Sequence, residues 1–380
     1  MHLSYPSTAA TTVYVPPIIF DRNCQSVSKI VRVADLAWCC AGLSGLYVSS
    51  RIRPPTSVYS IPLTLVDYVG GWDAGPEAIG EDLHMYLKCF FALRGNLTTQ
   101  TVPAPVSQTD VHGDEKGLRA LVSDFKARYK QGLRHMWGAL DTGFAVQELW
   151  KMMTTSNGEH KCTDDFGSHS SHRRYGSSAS SETDVEVPLD RPLLSKSHSS
   201  LHKPRLSPLA NTSTPIPSKP HYVNIIVCLH RLFEAHFLPA HVFVFIVSTG
   251  IYDALTPQSL QPAEYIWLSN ITGYLRAAGL ISMMCVFFCY ETFHKVSIQN
   301  REIEMQNAGL YDGMVASGNS FGHRSLKENT VDYFLFTISG FLFGSLPAIH
   351  AQLSHLWSLE LAYGVSKKPK RVRAGYNGMV

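Results

Sequence analysis

Two short stretches hold residue types that do chemistry. The first is Gly80-Glu81-Asp82, inside GWDAGPEAIGEDLHMYLKCFF at residues 71–91. The second is ARYKQGLRHMWG at residues 127–138, where Gln131 and Arg134 lie three apart and Trp137 three further on. Carboxylates take protons from weak acids such as hydroxyls, and guanidinium groups bind anions. A plainer reading is also available for the acid pair. Acidic residues in a first helical turn suit the positive end of the helix dipole, so Glu81 and Asp82 could be no more than a helix start.

The elements that must position these residues follow from periodicity. Leu83, Tyr86, Leu87, Phe90 and Phe91 recur at helical spacing behind the acid pair, and Gly95 stands where a C-terminal cap belongs. Leu121, Phe125, Tyr129, Leu133, Met136, Trp137 and Leu140 form the apolar ladder of a helical region over residues 118–153. Upstream, VYVPPIIF (13–20) reads as extended and proline-broken, and Asp21-Arg22-Asn23 as a turn. Ile30, Val33, Ala34, Ala37 and Trp38 suggest a helix ending near Gly42 and Gly45. Residues 57–66, SVYSIPLTLV, are β-branched and bounded by Pro54-Pro55 and Gly70-Gly71, so a strand is expected. A further strand is expected at 97–102. The strand and helix order suggests an α/β layer.

The 380 residues leave room for two or three units. A net charge of +3 argues against a dedicated nucleic-acid binder, which normally shows a basic face. Eight cysteines include no CxxC pair, so neither a disulfide framework nor a zinc site is expected. Reduced, mostly buried thiols fit a cytosol-facing domain. The first residues, MHLSYPSTAATTVYVPP, lack the basic and apolar regions of a signal peptide.

Residues 154–220 are rich in serine, histidine and proline and read as a disordered linker. Three apolar stretches follow, at 237–255, 265–290 and 333–349, with Arg276 near the middle of the second. A bilayer needs about 17 to 20 apolar residues per helix, so all three are expected to span one. Arg276 should then face a partner helix or a polar path. Residues 222–236 look amphipathic and suited to the membrane surface. The basic tail KKPKRVR (367–373) should be cytosolic. A cytosolic N-terminal unit then requires an even number of crossings, which an interfacial stretch or a fourth pass over 351–365 would supply.

The acid pair, the Gln-x-x-Arg-aromatic helix and the later spans, in that order, resemble the processive-type family 2 glycosyltransferases. The wording of GWDAGPEAIGEDLHMYLKCFF, RYKQGLRHMWGALDTGFA, EYIWLSNITGYLRA and YGVSKKP is similar to an uncharacterised fungal membrane branch of that family. The resemblance implies a partial α/β GT-A domain plus an all-α transmembrane region. Residues 1–153 would be the acceptor half of the domain, 154–220 the linker, 221–365 the membrane helices and 366–380 the basic tail. It implies inverting transfer of a sugar from a nucleotide-sugar donor to a saccharide or lipid acceptor, in a multi-pass membrane protein facing the cytosol.

By the same resemblance, Asp82 is the general base and Glu81 its neighbour. Gln131 would hydrogen-bond substrate, Arg134 would offset charge on the leaving diphosphate, and an aromatic would stack on the acceptor sugar. The helix terminus lowers the basicity of a carboxylate, and desolvation by the acceptor would restore it. Here His135 follows Arg134 and Trp137 comes two places later, which rotates the ring by about 200° around the helix. Trp137 is therefore either the stacking aromatic or core, with His135 in the exposed place. Asp73 is either an acceptor contact or a turn residue.

The family's Mg or Mn ion, with its Asp-x-Asp ligands, is implied too, but no Asp-x-Asp follows an apolar strand. Asp21-Arg22-Asn23 is the nearest imitation. Glu81 has only eighty residues before it, so the donor-binding half is expected to be missing. An inactive, shortened transferase is one consequence. A non-catalytic membrane protein or a regulatory partner of a complete synthase is the alternative.

Overall fold

The computed structural model describes residues 6–24, 27–47, 49–72, 80–111, 118–154, 219–316 and 321–358. Residues 155–218 of the expected linker, the basic tail, Asp73 and residues 359–365 of the proposed fourth pass lie outside the described residues. Described residues on both sides of 161–216 belong to one unit.

After a short turn of helix, α1 (Pro6–Ala9), the chain enters β1 (Thr12–Val15) and β2 (Ile18–Phe20). These pair in parallel with β3 (Thr98–Thr101) and β4 (Val106–Gln108), as β1 with β3 and β2 with β4. Pro16 and Pro17 on one side and Pro103 and Pro105 on the other break both chains at matching points. Proline has no N–H to give to a ladder. Bonds from Val102 N to Val15 O (3.0 Å) and from Val106 N to Pro17 O (2.8 Å) keep the two halves in step. The α/β layer is thus two short parallel pairs, and helices make up most of the rest.

Helix α2 (Lys29–Ser44) ends at Gly45, as its periodicity indicates. The expected strand at 57–66 is not formed. Only Ser60 pairs, exchanging two 2.9 Å backbone bonds with Tyr14. Pro62 then caps α3 (Leu63–Tyr68). β-Branched residues favour a strand only where neighbours complete the sheet, and here Pro54 and Pro55 before the stretch and Pro62 within it interrupt pairing.

Helix α4 (Glu81–Ala92) starts directly after Gly80. Met85, Tyr86, Leu87, Cys89, Phe90 and Phe91 are buried along it. Gly95 follows at φ +79°, a conformation that favours glycine, and its N–H bonds Phe90 O at 2.8 Å to close the helix end. The predicted helical region beyond is two helices, α5 (Leu118–Trp137) and α6 (Ala139–Thr154), hinged at Gly138. Leu121 and Leu140 of the expected ladder are exposed, while Phe125 packs its ring on Phe343 at 5.2 Å.

Helix α7 (Tyr222–His236) buries Ile225, Cys228 and Leu232 in the core formed by β1, α3, α4, β3 and α6. Its apolar stripe therefore serves the protein interior, while Tyr222, Val223 and Ile226 on the other side are exposed. Among the described residues, three helical stretches are long and apolar enough to cross a membrane, by length and composition. They are α8 (Leu238–Leu255), α9 (Ala263–Asn307) and the run from Asp332 to Ser354. Between α9 and that run lies the short α10 (Tyr311–Ala316).

Helix α9 is longer than the predicted span. At 45 residues it extends about 67 Å, beyond any bilayer core. Its first part is largely exposed, Arg276 included, the residue for which a partner helix or a polar path is expected. Its later part buries Phe287, Glu291, His294 and Ile298 against β2 and α2.

The third stretch is α11 (Asp332–Gly340), a π turn at Phe341–Ser345, and α12 (Leu346–Ser354). It packs along α2 and α5. Ser339 Oγ donates to Ile30 O at 2.9 Å, and Gln352 donates to His236 O at 3.0 Å. Gly132 of α5 permits the close approach, because a Cβ there would stand 2.6 Å from Phe343 O.

Candidate functional site

The head of α4 is where the chemistry-bearing residues gather. The Asp82 carboxylate is held at both oxygens. Oδ1 accepts from Leu83 N at 2.9 Å, and Oδ2 from Ser57 N at 2.7 Å. Ser57 sits at φ +81°, a left-handed conformation that a residue with a Cβ adopts at some cost. Beside it, the rings of Tyr59 and Trp72 meet at 6.0 Å, with Trp72 half in solvent.

Glu81 is the more exposed of the two acids. Partial burial and the neighbouring Asp82 carboxylate push its carboxyl above the usual range, while hydrogen bonds from its own and the Asp82 backbone N–H, and then Arg134, pull it back. Arg134, in the last turn of α5 and 53 positions further along the chain, contributes the smallest of these influences on Glu81.

The other predicted residues of α5 go elsewhere. Gln131 Oε1 accepts from Arg128 Nη1 at 2.6 Å, and Arg128 Nη2 pairs with Asp35 Oδ1 at 3.1 Å. Asp35 and the equally buried Asp110 lie close enough to perturb each other. Burial raises both carboxyls above their ordinary range. Trp137 is 4% exposed, with its ring edge-on to His355 at 4.5 Å. Of its two expected places it takes the core. His135 does not take the exposed place left open for it. Its ring stacks on Trp38 at 5.4 Å, and desolvation drives its pKa down to about 3. His135 and Trp137 stand two positions, about 200°, apart around α5, so the two rings meet different neighbours, Trp38 and His355.

Two residues at the site have no counterpart in the sequence reading. His84 lies one turn after Glu81 on α4, and its Nδ1–H donates to Asp141 Oδ1 at 2.7 Å. Asp141 stands in the first turn of α6, and its Oδ2 lies where a Cβ on Gly80 would come within 3.2 Å. The glycine of the Gly-Glu-Asp motif thus makes room for a carboxylate from another helix. The available signal was the spacing of Glu81 and His84, which share a helix face at i and i+3.

The metal ligands implied by the sequence do not fit the residues present. Asp21 is fully buried, and its Oδ2 accepts from Ser107 Oγ at 2.8 Å and pairs with Arg301 at 2.6 Å. Asn23 exchanges two bonds with the Asp110 backbone, at 2.9 and 2.7 Å. Both members of the imitation motif are therefore committed to structure. No group of three or more His, Cys, Asp or Glu that could hold a metal occurs among the described residues.

The site thus has an acid pair heading a helix, with long apolar helices further along the chain. The family model described as Glycosyl transferase family group 2 matches residues 10–290, well over half of the chain, and the chain belongs to that family. No curated protein and no solved structure compared with the chain matches it.

Proposed function

We propose that this chain is a membrane-bound, inverting glycosyltransferase that moves a sugar from a nucleotide-sugar donor to a saccharide or lipid acceptor. The observation that carries the reading is the family match over residues 10–290, with the Glu81–Asp82 pair at the head of α4. An acceptor hydroxyl attacks the anomeric carbon, the bond from that carbon to the diphosphate oxygen breaks, and the hydroxyl proton passes to Asp82. The Asp82 oxygen bonded by Ser57 N is the one to which an acceptor hydroxyl must gain access. Glu81 keeps its proton more readily and sets the local charge. Arg134 offsets the negative charge that develops on the leaving nucleoside diphosphate. Gln131 acts at one remove, by fixing Arg128, and Trp137 and His135 hold α5 in place.

The three apolar helices lie in a bilayer, in several passes, with the α4 site on the cytosolic side. The mostly exposed apolar surface of α8 and the first part of α9 supports this, because such surface needs lipid or a partner to cover it. One observation favours the non-catalytic alternative. Both Asp82 oxygens take backbone N–H groups, as in a purely structural helix start.

Titration of the purified protein with UDP-sugars in the presence of Mg or Mn separates the two readings. Saturable donor binding supports the transferase. An absence of binding at millimolar donor contradicts it.

A further inference from the structure

We propose that His84 and Asp141 are a positioning pair that docks the α5–α6 hairpin on the head of α4 and thereby fixes the last turn of α5, which carries Arg134. The proposal rests on the transferase reading for its consequence, and on geometry alone for the contact.

Asp141 uses both carboxylate oxygens on α4. One accepts from His84 Nδ1 at 2.7 Å, and the other lies over Gly80. The two side chains are 31% and 12% exposed, so this hydrogen bond is partly withdrawn from solvent. His84 makes a second contact with the same helix, its ring lying 4.6 Å from that of Phe144. One imidazole thus grips α6 by a polar edge and an apolar face.

The grip reaches Arg134 because the joint between the helices is stiff. Seven positions separate Arg134 from Asp141. Gly138 N bonds His135 O at 3.2 Å, and Asp141 N bonds Gly138 O at 3.0 Å. The joint also has a wall behind it. A Cβ on Gly138 would stand 2.8 Å from His236 Nε2, and Thr142 Oγ1 lies 3.3 Å from His236 Nδ1. A hairpin fixed at Asp141 and backed by α7 has little freedom left at Arg134. The carboxylate accepts only from Nδ1–H, so His84 acts through that nitrogen, and Nε2 need not meet the substrate.

The test uses full-length protein in detergent, with two separate readouts. Thermal midpoints of His84→Ala, Asp141→Ala and the double variant form a cycle that needs no activity. The account expects the double variant to lose no more than the larger single loss. Fully additive losses overturn the pair, even if no transfer is ever detected.

The second readout is turnover with UDP-sugar. His84→Asn places an amide nitrogen near the position of Nδ1, and His84→Gln places one near Nε2. The account expects His84→Asn to stay within about threefold of the parent kcat, and His84→Gln to lose about tenfold or more, with KM little changed in both. Asp141→Asn, which keeps an accepting oxygen, should resemble His84→Asn. The reverse order, Gln active and Asn impaired, assigns His84 to direct substrate contact through Nε2 and overturns the positioning role. Absence of turnover in the parent protein counts against the transferase reading and leaves the decision on the pair to the thermal cycle.

Discussion

Ser57 donates its backbone N–H to Asp82 Oδ2 at 2.7 Å while held at φ +81°. A left-handed residue with a Cβ costs about 1–2 kcal/mol, and glycine avoids most of that. Ser57→Gly should therefore raise stability by roughly 0.5–1 kcal/mol, net of the larger unfolded-state entropy of glycine. Ser57→Ala should gain nothing, because it keeps the Cβ. Denaturant midpoints of the two variants check this.

Asp332 joins two buried guanidinium groups. It meets Arg32 Nη2 at 2.7 Å and Arg324 Nη2 at 3.0 Å, and Arg324 also holds Glu291 at 2.6 Å. Removing one partner leaves buried charge uncompensated, which typically costs about 3–5 kcal/mol. Asp332→Ala should lose stability on that scale, and Asp332→Asn less, since it still accepts one bond. A loss below about 1 kcal/mol for the alanine variant would show that the network is open to water.

These contacts also mark what the sequence conceals. The runs behind Glu81 and over residues 118–153 announce α4, α5 and α6, because a helix writes its buried face at short, regular spacing. Gly45 and Gly95 mark helix ends for the same local reason. The Arg32–Asp332 pair spans 300 positions, and nothing local in either segment signals it. The strand expected at 57–66 fails because its residue types suit a sheet that the prolines prevent from forming. At the site, Glu81, Asp82 and Arg134 are legible as a motif. Asp141 is not, because its place beside Gly80 and His84 depends on how α6 returns over α4. Gln131 shows the converse, a motif residue whose partner, Arg128, lies within its own helix.

Gly132 and Gly143 make a matched pair for testing the packing of α5 and α6. A Cβ on Gly132 meets backbone, Phe343 O at 2.6 Å, while one on Gly143 meets nothing within 4 Å. Gly132→Ala should force α5 from the π turn and cost about 1–3 kcal/mol. Gly143→Ala, inside an open helix face, should gain up to about 1 kcal/mol from helix propensity. Thermal unfolding in detergent reads both.

Acid should weaken the hairpin through its histidines. Burial drives His236 down to about 4 and His135 to about 3, against an ordinary value near 6.5. The folded state therefore favours the neutral rings. The stability this represents is complete above pH 6.5 and is lost as pH falls from 6.5 toward 4 for His236, and toward 3 for His135. For His236 the full loss is on the order of 3 kcal/mol. Unfolding free energy at pH 7.5 should exceed that at pH 5, and His236→Gln should flatten the difference. A stability that is level across this range contradicts the buried, neutral assignment.

The most direct measurement is release of nucleoside diphosphate from a UDP-sugar, in the presence of acceptor, by the parent protein and by Asp82→Asn. Asparagine keeps the shape of the side chain and an oxygen for Ser57 N, but gives up the proton-accepting charge. The account predicts that donor binding survives and turnover falls by about 10²- to 10⁴-fold, the usual contribution of a general base. Turnover by Asp82→Asn equal to that of the parent would contradict the assignment of Asp82 as the base.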